Sequence, residues 1–202
     1  MNNGFLYPVF SFTIGILKLL NIVEGLKWIF KYFSKKMNLK LPVYAVERIA
    51  TDLFIVLKWG FMLWVFFCSS PSIFLEFVVW YFLLTNIYTY FYYHVWNVSS
   101  RDKLDEIRLK RRFLSLGLAF FFSVISFATI YKNFYANEFI WKDKNISFLN
   151  SFLFSLGNSF TISYEFVKPN SEVAFSITIL QTTITFIFVS IILATSIPQP
   201  KN

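Results

Sequence analysis

The stretch Phe154-Ser-Leu-Gly-Asn-Ser-Phe-Thr-Ile-Ser-Tyr-Glu-Phe-Val-Lys-Pro169 constrains this chain more than any other. It is too short and too polar to cross a bilayer. Apolar segments that are long enough lie on both sides of it, at Phe113 to Tyr131 and at Val173 to Ile197. A half-length apolar piece running into a polar hairpin reads as a re-entrant loop. Irregular backbone is tolerated at membrane depth only where protein or a water-filled cavity satisfies its amides. The half-helix is expected over Ile146 to Phe160, and Pro198 and Pro200 stop the final span.

Composition fixes the solvent around this loop. The chain is 56% hydrophobic and 15% charged, whereas a soluble domain carries about 25% charged residues. The class is a polytopic membrane protein. A net charge of +8 raises the question of nucleic acid. The basic residues, however, occur in short runs flanking apolar segments, which is how cytoplasmic loops meet anionic lipid. Membrane lipid is therefore the expected partner and nucleic acid is not. The single Cys68 excludes an intramolecular disulfide and any cysteine-based metal site. With one histidine and no glycine-rich phosphate loop, neither a metal centre nor a nucleophile–base pair can be assembled, so no catalytic residue, metal or cofactor is expected. Met1 to Gly4 carry no basic region ahead of the first apolar stretch, and no removable signal peptide is expected.

Three regions follow. Residues 1–46 hold the apolar segment Phe5 to Phe33 and a basic linker, Lys35 to Lys40. Lys18, Glu24, Lys27 and Lys31 punctuate that segment at near-helical spacing, which suits an amphipathic helix at the interface and leaves a spanning helix open. Residues 47–111 hold a helical hairpin: Glu47 to Cys68, the turn Ser69-Ser-Pro-Ser72, and Ile73 to Trp96. At 1.5 Å per residue, each arm reaches across ~30 Å of hydrocarbon. The charged run Arg101 to Arg112 reads as a surface-lying linker helix. Residues 112–202 hold the span, half-helix, hairpin and final span. No helix carries Arg or Lys at every third position, so voltage sensing is not expected.

Lysine and arginine also orient the chain. The basic linkers 35–48 and 101–112 belong on the cytoplasmic side, and the uncharged Ser69 to Ser72 turn belongs outside. The half-helix then dips in from outside and the C-terminus returns to the cytoplasm.

Span, re-entrant helix, polar hairpin, span is also the order of the two-helix pore module of potassium channels, and residues 112–196 resemble that family. The family pattern is an aromatic-Ser near the end of the pore helix, then T-V-G-Y-G, an acidic residue and a nearby proline. This chain reads Phe154-Ser155, then Thr161-Ile162-Ser163-Tyr164-Glu165, then Phe166-Val-Lys-Pro169. The threonine, β-branched residue, tyrosine and proline fall in register; the two glycines and the following acidic residue do not. The resemblance implies a homotetramer with residues 161–165 lining the ion path.

The departures bear on selectivity. A potassium filter aims successive carbonyls at its axis, and glycine takes the positive-φ positions at little cost. An L-residue there costs about 1–2 kcal/mol. Ser163 and Glu165 would each carry that cost, so the hairpin is expected to avoid the potassium-selective backbone. A ring of Glu165 carboxylates and Ser163 hydroxyls would line a wider, hydrated path for monovalent cations. Thr178, Gln181, Thr182 and Thr185 recur on one face of the final span. They either line a cavity below the filter or hydrogen-bond to neighbouring helices and their own backbone. The functional expectation is a cation channel in the cell membrane that is not strictly potassium-selective. The alternative is a non-conducting membrane interaction protein, either a regulatory subunit or a membrane-disrupting effector.

Overall fold

A computed structural model describes residues 6–19, 21–36, 42–68, 72–92, 106–142 and 146–196. The chain divides into two compact units, Met1–Gly60 and Phe61–Asn202, with the division inside the third helix.

In the first unit the apolar segment expected as one helix is two, α1 (Leu6–Leu19) and α2 (Ile22–Lys36). Asn21 breaks it. Its side-chain Oδ1 accepts from the backbone N–H of Val23 at 3.0 Å, and its carbonyl accepts from Glu24. This is the N-cap role in which asparagine excels. The described helices, of 14 and 15 residues, reach about 21–22 Å each. Next comes α3 (Val43–Cys68), which starts after Pro42 and continues into the second unit. Lys31 on α2 forms an ion pair with Glu47 on α3 at 2.5 Å.

The second unit is organised around α5 (Glu106–Thr129), continued by one π-helical turn over Ile130–Phe134. Leu116, Ala119, Phe122, Val124, Phe127, Ala128, Ile130 and Tyr131 are all fully buried. The alanines, with buried Ser123 and Ser126, let neighbouring backbones approach closely, as small residues do between membrane helices. Against α5 pack α4 (Ile73–Phe91), α6 (Phe148–Ser159) and α7 (Glu172–Ser196). Of the expected linker helix, residues 101–105 lie outside the described residues; from Glu106 the described chain runs through Arg112 and Phe113 as one helix, α5. No proline or capping residue interrupts that junction, and Arg, Lys and Leu are strong helix formers.

Among the described residues, four helices are long and apolar enough to cross a membrane: Ala45–Phe67, Ile73–Phe91, Phe113–Phe134 and Glu172–Ile191. By the length and composition of its helices, the chain is an α-helical, multi-pass membrane protein. One feature departs from all-α. Strands β1 (Phe139–Trp141) and β2 (Val167–Pro169) pair antiparallel, with Phe139 opposite Pro169 and Trp141 opposite Val167. The ribbon continues with Lys142 N–H to the carbonyl of Phe166 and Asn170 N–H to that of Glu138. It closes the loop that carries α6.

Candidate functional site

Helix α6 starts at Ser147, whose hydroxyl accepts from the Asn150 N–H at 3.1 Å, and ends twelve residues later. At about 18 Å it is little more than half the hydrocarbon thickness. Ser151, Ser155 and Ser159 recur every fourth residue and are buried together with Phe154. This serine stripe lets α6 seat closely, and the Ser155 hydroxyl donates to the carbonyl of Val124 on α5 at 2.7 Å.

Gln181 on α7 is the centre of the site. It is 1% exposed, so every polar atom of its amide must find a partner inside the protein. The two Nε2 hydrogens are shared among the Ser155 carbonyl, the Ser155 hydroxyl and the Ser159 hydroxyl, each at 2.8 Å. The Oε1 atom accepts from the Tyr131 hydroxyl at 2.6 Å and from Asn158 Nδ2 at 3.0 Å. Asn158 also donates to the Thr178 carbonyl at 3.0 Å. One amide thus joins α7 to α6 and to the π-helical turn after α5. Phe139, Phe154 and the Tyr131 ring pack edge-to-face beside it, with centroids 5.0–5.6 Å apart.

The end of α6 directs the chain into the loop. Ile162 N–H bonds to the Gly157 carbonyl and Thr161 N–H to that of Asn158, the paired bonds of a Schellman cap. Thr161 occupies the left-handed position, with φ 57°. For a β-branched residue this stores about 1–2 kcal/mol of strain. Gly157 is required by the same cap, because a Cβ there would lie 2.9 Å from the Ile162 carbonyl oxygen.

Beyond the cap, Thr161, Ile162, Ser163 and Glu165 are exposed. Tyr164 turns back toward the start of α6, where its hydroxyl donates to Asn150 Oδ1 at 3.1 Å. Its ring lies 5.4 Å from that of Phe166, over which Lys142 Nζ sits at 4.6 Å. Among the described residues Thr161 is the only non-glycine with positive φ, so Ser163 and Glu165 keep ordinary backbone geometry.

Of the four polar residues on one face of the final span, Thr178, Gln181 and Thr185 are buried and Thr182 is half-buried. Thr178 Oγ1 donates to the Phe175 carbonyl at 2.8 Å and Thr182 Oγ1 to the Thr178 carbonyl at 3.1 Å. Both are bonds within α7. Ser155 entered the sequence reading only within the pore-helix pattern, and Tyr131, Asn158 and Ser159 in no functional role; the serine spacing on α6 was the signal that could have found Ser159.

A second set of bonds ties the segment after α5 to the hairpin. Lys132 Nζ donates to the Phe66 carbonyl and Asn133 Nδ2 to that of Val65, both at 2.7 Å, covering carbonyls in the last turn of α3. The Tyr135 hydroxyl donates to Glu76 Oε1 at 2.6 Å in the first turn of α4. That hydrogen bond, then burial, then the charges of Glu76 and Glu138 push the phenol up to about 12, against an opposing bond with Trp80. A phenol raised above its unfolded value near 10 stabilises the fold fully below pH 10 and loses that contribution as pH rises through 12. Tyr135→Phe should therefore lack the corresponding part of the alkaline destabilisation seen in wild type. Thermal unfolding in detergent between pH 9 and pH 12 measures it. Superimposable pH profiles would mean that the bond contributes nothing.

Among the described residues no group of three or more His, Cys, Asp or Glu side chains is placed to hold a metal ion. No family model matches the chain, and neither does any curated protein or solved structure with which it was compared.

Proposed function

We propose that the chain is a pore-loop membrane protein, assembling as a homotetramer in the cell membrane and conducting monovalent cations without strict potassium selectivity. One observation carries this reading. A half-length helix is locked by buried hydrogen bonds between two spans, and its C-terminal end leads into an exposed polar loop. A membrane protein that only needed to connect α5 to α7 would not need a third, non-spanning helix buried between them. The negative pole of α6 lies at the loop end and favours a cation there by about 0.3–1 kcal/mol. Ordinary φ values at Ser163 and Glu165 support a path lined by side chains rather than by stacked carbonyls. The C-terminus is taken as cytoplasmic.

A second reading is favoured by the burial of Thr178, Gln181 and Thr185 within the chain's own core. Polar groups used up in this way are not available to line a cavity, as suits a non-conducting regulatory subunit or membrane-disrupting effector. Native mass spectrometry of the detergent-solubilised protein, paired with planar-bilayer recording, separates the two. Four copies with cation-selective unitary currents are expected. A monomer, dimer or trimer would overturn the pore reading, and a silent tetramer would favour the second.

A further inference from the structure

Helix α2 presents one broad apolar arc, part of it buried and part exposed. Val23 in this arc is buried, with Leu26 and Phe30 half-buried beside it. On the adjoining flank Ile22, Trp28, Ile29, Tyr32 and Phe33 are between 41% and 69% exposed. Trp28 and Tyr32, and likewise Ile29 and Phe33, are spaced four apart, so the exposed residues form one continuous stripe. The Trp28 and Tyr32 rings stack with centroids 6.2 Å apart.

The stripe is not part of a transmembrane helix. Fifteen residues reach about 22 Å, short of the ~30 Å hydrocarbon layer, and the helix carries four lysines against one glutamate. Two of those lysines have partners: Lys27 bonds to Glu24 at 2.8 Å, and Lys31 to Glu47 at 2.5 Å. The second pair also joins α2 to α3. Glu47 lies near the start of Ala45–Phe67, the part of α3 long and apolar enough to cross a membrane, so the ion pair ties α2 to that end of it. Lys35 and Lys36 occupy exposed positions in the last turn. Tryptophan and tyrosine on an apolar stripe, with lysines at its C-terminal end and a tether to the start of α3, match the chemistry of an anionic lipid–water interface.

We infer that α2 lies in the plane of the membrane surface, with its Trp28–Tyr32 stripe in the acyl boundary and Lys35 and Lys36 on the phosphates of anionic phospholipids. The helix is thereby an anionic-lipid binding element joined to the first span by the Lys31–Glu47 pair. This holds whether or not the chain conducts.

The test uses the whole 202-residue chain in nanodiscs of phosphatidylglycerol and phosphatidylcholine. The fluorescence removed by Trp28→Phe isolates the Trp28 signal from that of the other tryptophans. That signal should be quenched more strongly by lipids brominated near the headgroup end of the chain than by lipids brominated near its methyl end. In parallel, Lys35→Gln and Lys36→Gln should each lower the ratio of phosphatidylglycerol to phosphatidylcholine retained on purification, by about fivefold per lysine. Quenching by aqueous iodide and by neither brominated lipid would overturn the placement. Protection from all three quenchers would do the same, because a second copy or another protein would then cover the stripe. An unchanged lipid ratio in the double lysine variant would overturn the headgroup assignment.

Discussion

Gln181→Leu should destabilise the detergent-solubilised chain by about 2–4 kcal/mol, although leucine nearly matches glutamine in size. Interhelical hydrogen bonds in membrane proteins are worth about 0.6 kcal/mol each on average, and Gln181 takes part in five. The larger consequence is the partner left behind. Ser155 keeps its bond to Val124, Ser159 its bond to Ser155, and Asn158 its bond to Thr178. The Tyr131 hydroxyl, fully buried, loses its acceptor, at about 1–3 kcal/mol for an orphaned polar group. Removing that hydroxyl as well should recover part of the loss. Tyr131→Phe combined with Gln181→Leu is therefore expected to cost less than the sum of the single variants, with a coupling of about 1–2 kcal/mol. Unfolding in mixed micelles measures the cycle. Strict additivity would show that the amide does not hold Tyr131 and α6 together.

Glu165 should control which ions pass. In a tetramer four exposed carboxylates would surround the loop end of α6, and a cation about 8 Å from one unit charge gains about 2 kcal/mol at an effective dielectric of about 20. Glu165→Gln removes that attraction and should lower the cation-to-anion permeability ratio about tenfold or more. Glu165→Lys replaces attraction with repulsion, and should invert the preference or block current while leaving assembly intact. The residue is exposed and no hydrogen bond or ion pair joins it to the rest of the described chain, so neither change removes a structural contact. Reversal potentials in asymmetric sodium chloride and potassium chloride measure both variants. Unchanged sodium, potassium and chloride ratios would take Glu165 out of the pathway. A strongly potassium-selective wild type would refute the argument from backbone handedness.

The ordinary φ values of Ser163 and Glu165 follow from chemistry that can be read residue by residue, because a Cβ penalizes left-handed backbone wherever the residue sits. Thr161 is the instructive exception. Its φ of 57° is imposed by the cap that ends α6, a constraint set by packing rather than by threonine's own preference. The half-helix was legible to within two residues at each end, since its length and the polar residues after it are local properties. The break at Asn21 was equally local, and asparagine as an N-cap was the missed signal.

By itself, the sequence determined the solvent, four long apolar helices and the half-length of α6, and it left open whether residues 5–33 span. Each depends on composition and run length, and hydrocarbon reads these one segment at a time. Only the tertiary structure decided which way the polar groups of α7 face and what closes the loop. The period of a helix places Thr178, Gln181 and Thr185 together but cannot say whether that face meets water or protein. The choice rests with Tyr131, Ser155, Asn158 and Ser159, which lie 22 to 50 residues away and satisfy the Gln181 amide only once α5, α6 and α7 have packed. The β1–β2 ribbon was hidden for the same reason. Three residues carry too little pattern to declare a strand until a partner strand, 28 residues farther along, supplies its hydrogen bonds.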